Sequence, residues 1–249
     1  MTGSIVCYKV QISNSVDEVS EYFAQLLINK VNSSKDFFNI ALSGGSTPKS
    51  IFDYLALHQQ NTIDWRKIKI FWGDERCVPP SDAESNFKMA NDSLLSKIRI
   101  PTANIFRIKG ESDPQLEADR YSSEILNHIK IKNDYPRFDL IMLGLGEDGH
   151  TASIFPTQKK LLNSDKIYAV AVHPETGKKR ITLTGNVINN AANIVFIATG
   201  KNKSDVAGKI IKQKGNYKDY PASFIIPKDG DLYWLLDKDA TWTGIKFKE

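Results

Sequence analysis

The chain's best-placed chemistry is a single imidazole in a crowded turn. Gly144-Leu145-Gly146-Glu147-Asp148-Gly149-His150 packs three glycines, two acids and a histidine into one stretch, and Thr151, Ala152 and Ser153 follow. The apolar run at 138–143 precedes it and reads as a buried strand, so the turn belongs at that strand's carboxyl end. Two functions compete for these residues. One is a dinucleotide cradle, because Gly144, Gly146 and Gly149 fit G-x-G-x-x-G and Asp165 stands about where a ribose-binding acid would. The other is a general base. An imidazole with an ordinary pKa of ~6.5 accepts a proton near neutral pH, and Asp148 is close enough in sequence to orient it. Pro156 interrupts the helix a cradle needs, and Glu147 with Asp148 would repel a pyrophosphate, so the catalytic reading is preferred.

Three further segments place anion-binding chemistry after strands. Ser43-Gly44-Gly45-Ser46-Thr47-Pro48 joins an apolar run to a helical pattern. Its glycines admit close approach to the backbone, and the helix start offers unpaired N–H groups with the right dipole for a phosphate. No P-loop lysine follows. Gly73-Asp74-Glu75-Arg76 follows the strand at 68–72, and arginine's planar fork suits bidentate phosphate binding. Arg180, and Lys201 just beyond Thr199-Gly200, are further cationic candidates. The other histidines, His58, His128 and His173, lie in or at the ends of regular patterns and read as packing or solvated groups. Ser43 and Ser153 lack the G-x-S-x-G setting of an activated nucleophile.

The elements that must position these residues alternate along the whole chain. Val16, Val19, Phe23, Leu26, Leu27 and Val31 recur at helical spacing. Strands are expected at 37–42, 68–72, 138–143, 168–172, 181–184 and 193–198. Helices are expected after Ser46 (capped by Ser46 or Thr47) and at 85–98, 115–131 and 203–212. Two closing strands, 223–226 and 232–236, are expected around Asp229-Gly230. Strands separated by helices imply βαβ units and an α/β fold: a three-layer αβα sandwich around a twisted, mostly parallel sheet. With 249 residues, no repeat and no linker, one domain over 1–249 is expected. A formal charge of +4, from 33 bases mixed among 29 acids, gives no dense basic stripe and argues against nucleic acid as a partner. No window approaches a membrane span, and no secretory leader precedes Ile5-Val6-Cys7-Tyr8, so a cytoplasmic protein is expected. Cys7 and Cys77, without metal-ligand spacing, read as two reduced thiols.

Taken in order, these segments resemble the 6-phosphogluconolactonase family nearly end to end. The resemblance rests on Ser43 to Pro48, Gly73 to Arg76 with Ser85-Asn86, Gly144 to Pro156, Arg180-Ile181-Thr182, Gly200-Lys201 and Pro221-Ala222-Ser223. Thr176-Gly177-Lys178-Lys179 replaces a proline-rich approach to Arg180, and Ile154 stands where leucine is usual. The resemblance implies a fold of the glucosamine-6-phosphate deaminase and ribose-5-phosphate isomerase type. It implies a carboxylic ester hydrolase acting on 6-phospho-D-glucono-1,5-lactone, with no metal and no organic cofactor. It assigns His150 and Asp148 to catalysis, and Ser43, Gly44, Gly45, Arg76, Arg180 and Lys201 to the substrate and its phosphate. The only partner implied is the small sugar-phosphate lactone, with the chain a monomer or weak homo-oligomer. The alternatives are a glucosamine-6-phosphate deaminase, which continues from its Asp-Gly-His loop with a different sequence, and a sugar-phosphate sensor without turnover.

Overall fold

The computed structural model describes residues 8–242. Cys7 lies outside them, and Cys77 is a half-buried free thiol whose pKa burial pushes up to about 11. Along the chain the first strands are β1 (Tyr8–Ser13), β2 (Phe38–Leu42), β3 (Ile68–Trp72) and β4 (Asp74–Arg76). A small hairpin, β5 (Ile131–Lys132) and β6 (Tyr135–Pro136), precedes β7 (Leu140–Gly144). Then come β8 (Tyr168–Val172), β9 (Lys179–Leu183), β10 (Asn193–Ala198) and β11 (Asp231–Asp237). The α-helices are α1 (Val16–Ser33), α2 (Ser46–His58), α3 (Asn86–Ser93), α4 (Pro114–His128), α5 (Gly185–Ile188) and α6 (Ser204–Lys212).

Six strands form the central sheet in the order β1-β11-β10-β7-β2-β3, every neighbouring pair parallel. Helices flank it, as the alternating pattern predicts. Parallel strands covered on both faces read as continuous apolar runs rather than alternating ones. All six residues of β10 are buried, as are the last six of β11. Stacked Phe196 and Trp234, with ring centroids 4.2 Å apart, fill the space over these two strands.

The sheet departs from expectation in two places. The strands at 168–172 and 179–183 do not join it. β8 and β9 pair antiparallel with each other, and β9 pairs antiparallel with β4, making a separate three-stranded sheet. An apolar run shows that a strand is buried but not which neighbour it will find. The first of the two closing strands is absent, because 221–224 is a tight 3₁₀ turn and β11 alone closes the sheet. No α-helix opens directly after His150. A 3₁₀ segment, Pro156–Asn163, starts at the proline that blocks the regular helix.

Candidate active site

β2, β3, β7 and β10 all end at the same edge, and their carboxyl-terminal loops enclose a cleft of about 200 Å³. Open α/β sheets bind ligands at this edge. Ser43, Gly44, Gly45, Arg76, His150 and Arg180 line it together.

The β7 loop is built around its histidine. Gly146 N–H donates to the His150 carbonyl at 2.9 Å, and Gly149, at φ +76°, turns the chain back in a left-handed conformation that favours glycine. His150 Nδ1 stands 2.5 Å from Asp148 Oδ1, and the His150 backbone N–H reaches the same oxygen at 3.1 Å. Partial burial would raise the Asp148 carboxyl, but the hydrogen bond to the His150 ring and its charge outweigh this and hold it below the usual carboxylate range. An ionised carboxylate only accepts, so the ring proton sits on Nδ1 and Nε2 is left with its lone pair. The imidazole rests against the buried Phe155 ring, centroids 4.9 Å apart.

A second cluster lies along β4 and β9. Arg76 and Arg180 are directly opposed cross-strand neighbours. Like charges in that position are destabilising unless an anion comes between them. Burial lowers the Arg180 pKa against the raising influence of Asp74, and the Arg76 charge lowers it further. Arg180 Nη1 lies 3.5 Å from Ser153 Oγ and 4.0 Å from Asp74 Oδ2, with Ser153 Oγ donating to Asp74 Oδ2 at 2.6 Å. Arg76 Nη1 donates to the Glu84 carbonyl, while its Nε is buried without a partner.

Glu75, on the far side of β4, is 2% exposed and works as a staple. It accepts from the backbone N–H groups of Arg76, Asn86 and Phe87 and from Ser85 Oγ, tying β4 to the start of α3. Burial pushes its carboxyl above the usual range while these backbone bonds pull it down. Asn86 in turn donates to the Asp74 carbonyl at 2.8 Å and occupies the space beside Gly44. A Cβ at Gly44 would fall 1.8 Å from Asn86 Oδ1, so the β2 loop requires glycine there.

The start of α2 differs from expectation. Gly45, at φ +109°, is the N-cap, and no side chain caps the helix. Thr47 Oγ1 instead hydrogen-bonds Thr199 Oγ1 at 2.6 Å, joining the β2 and β10 loops. Ser46 and Thr47 line the cleft, so the uncapped N–H groups of α2 open towards it.

The family described as glucosamine-6-phosphate isomerases/6-phosphogluconolactonase matches residues 12–234. The chain belongs to this family. Within it, a 6-phosphogluconolactonase of Treponema pallidum is 44% identical over 171 residues, covering 69% of this chain and 71% of its own. A 6-phosphogluconolactonase of Haemophilus influenzae is 39% identical over 228 residues, covering 91% and 94%. The solved 6-phosphogluconolactonase of Trypanosoma brucei superimposes with a TM-score of 0.86 at 29% identity, over 94% of this chain and 98% of that one. The family description spans two activities, and these relatives carry the lactonase name.

Of the positions that the family resemblance assigns, Asp148 and Lys201 do not line the cleft; Asp148 reaches it only through the His150 ring, and Lys201 touches none of the other assigned side chains. Lys201 is exposed and does not line the cleft, whereas Lys203 does. Gly200, at φ +87°, starts a 3₁₀ turn over Lys201–Lys203, and residues three apart eclipse in such a turn. Lys203 lines the cleft, with its Nζ 4.0 Å from Glu147 Oε1. The Gly-x-x-Lys spacing was the available signal. Asp74 and the Thr47–Thr199 pair also line the cleft and were not singled out from the sequence.

Proposed function

We propose that the chain hydrolyses 6-phospho-D-glucono-1,5-lactone to 6-phospho-D-gluconate, with His150 activating the water and residues 1–249 acting as one domain. The reading is supported above all by the His150–Asp148 pair standing in a cleft that also holds Arg76, Arg180, Lys203 and the uncapped start of α2. A base for water and several groups for a phosphate are what this substrate needs.

In the proposed reaction His150 Nε2 takes a proton from water as the water oxygen bonds to the lactone carbonyl carbon. Asp148 holds the ring and stabilises the imidazolium that forms, as orienting carboxylates do. The carbonyl oxygen becomes an oxyanion, met by cleft cations or backbone N–H groups. Collapse of this intermediate breaks the bond to the ring oxygen, which takes the proton back from His150 and leaves as the C5 hydroxyl. The new carboxylic acid then ionises to solvent. The phosphate is held by Arg180, Lys203, Arg76 and the Gly45–Thr47 backbone, far enough from C1 to leave the water's approach open. We take the working form as a cytoplasmic monomer or weak homo-oligomer.

A pH-stat assay on freshly prepared lactone tests the reading: acid release should exceed the spontaneous rate, and incubation with glucosamine 6-phosphate should release no ammonia. Ammonia release without lactone turnover would replace this reading with the deaminase.

A further inference from the structure

A second, larger concavity opens at the opposite end of the sheet, where β2, β3 and β7 begin. Its volume is about 950 Å³, at the upper end of the range typical of small-molecule sites.

Lys35, Arg66, Lys67, Lys130, Lys132 and Arg137 all line it. Lys35 and Lys67 have no ion-pair partner among the described residues. Lys132 and Arg137 share a single carboxylate, Asp229, so one of their two charges is left over. The acids within the concavity are already engaged. Asp36 pairs with Lys130 at 2.7 Å, and Asp139 accepts from the Asn39 backbone and side-chain N–H groups at 2.7 and 3.1 Å. An anion entering here meets surplus positive charge and no free carboxylate.

An aromatic element sits among these cations. Phe37 is 48% exposed, an unusual state for a phenyl ring in a concave surface, and Ile131 on the same lining is 62% exposed. Lys69 Nζ lies 4.6 Å from the Phe37 ring centroid and 3.5 Å from His128 Nδ1. An ammonium only donates, so His128 Nδ1 accepts and its Nε2–H donates to Glu124 Oε1 at 3.0 Å. Lys69 forms no ion pair among the described residues. Phosphate-seeking cations beside an exposed aromatic ring are the two halves of nucleotide recognition, charge for the phosphates and a π-face for the base.

We propose that this concavity binds a nucleoside polyphosphate, its phosphates among Lys35, Lys67 and the surrounding cations and its base stacked on Phe37. Lys69 covers one face of the ring, and the base takes the other. The site lies at the amino ends of the strands, away from the lactone cleft at their carboxyl ends, so both can be filled together.

Isothermal titration of the intact protein with ATP, repeated with inorganic tripolyphosphate and with 6-phosphogluconate at saturation, tests this. ATP should bind in the presence of 6-phosphogluconate and at least threefold more tightly than tripolyphosphate. Phe37→Ala should remove that preference, and the exposed double substitution Lys35→Glu/Lys67→Glu should weaken both ligands at least tenfold. Lactone turnover without ATP should be unchanged in these variants. No binding at millimolar ATP, competition with 6-phosphogluconate, equal affinity for ATP and tripolyphosphate in the wild type, or wild-type affinity in the double variant would each overturn the proposal.

Discussion

His150 depends on the glycine four residues before it. A Cβ at Gly146 would fall 2.1 Å from His150 Nδ1 and 2.5 Å from Asp148 Oδ1, so the imidazole of the proposed base and the carboxylate beside it both stand in space that only glycine leaves free. Gly146→Ala should therefore cost turnover nearly as much as removing the imidazole, while the protein stays folded. His150→Ala itself should lower kcat by roughly 10²–10⁴-fold after spontaneous hydrolysis is subtracted, the usual worth of a positioned general base. A folded His150→Ala protein with wild-type turnover would remove His150 from the mechanism. The pH dependence follows from the pair. Asp148 is held below the usual carboxylate range, so it stays charged near neutral pH and adds no proton of its own there. With unphosphorylated gluconolactone, which carries no phosphate to titrate, the acid limb of kcat/KM should thus fall with a one-proton slope, and a two-proton slope would show a second group at work. The sign for stability is that of any depressed carboxyl. Asp148's contribution is present above the ordinary value of about 3.9 and is lost as pH falls through its lower folded value.

The segments that carry these residues were legible to different degrees. β2, β3, β7, β10 and β11 announce themselves as apolar runs, and each glycine-rich loop sits at the carboxyl end of its strand as expected. The small sheet was not legible, because the pairing of β4 with β9 is a contact between residues about a hundred positions apart. That pairing brings Arg180 opposite Arg76 and joins two separate motifs at one place on the cleft wall. Which of Lys201 and Lys203 faces the cleft was not legible either, because it rests on a single 3₁₀ turn. Its consequence is measurable. Lys203→Ala and Arg180→Ala should each raise KM for the phosphorylated lactone about 10- to 100-fold, as the loss of a charge-assisted contact of roughly 1.5–3 kcal/mol would. Lys201→Ala should change it little, and none of the three should much affect unphosphorylated gluconolactone. Equal losses on both lactones would mean that these cations serve the reacting end or the fold. At the same scale, Glu75→Gln would turn an amide N–H towards donors that now find carboxylate oxygens. We expect a loss of about 2–3 kcal/mol from the buried mismatch and a Tm lower by roughly 4–12 °C in thermal unfolding. An unchanged Tm would show that the staple is dispensable.

For the molecule as a whole, the sheet order has a consequence in time. β1 pairs along its whole length with β11, the last strand of the sheet, from Tyr8 against Leu232 to Ser13 against Asp237. During synthesis β1 leaves the ribosome more than two hundred residues before its strand partner exists. At about 5–20 residues per second, that is a wait of roughly ten to forty seconds. The nascent chain must carry an unmatched strand through that interval, an opening for chaperone capture or self-association. Ribosome-stalled chains ending before β11 should accordingly be cut readily by protease at β1. Chains long enough to expose β11 beyond the exit tunnel should resist, with the first strand made the last to find its place.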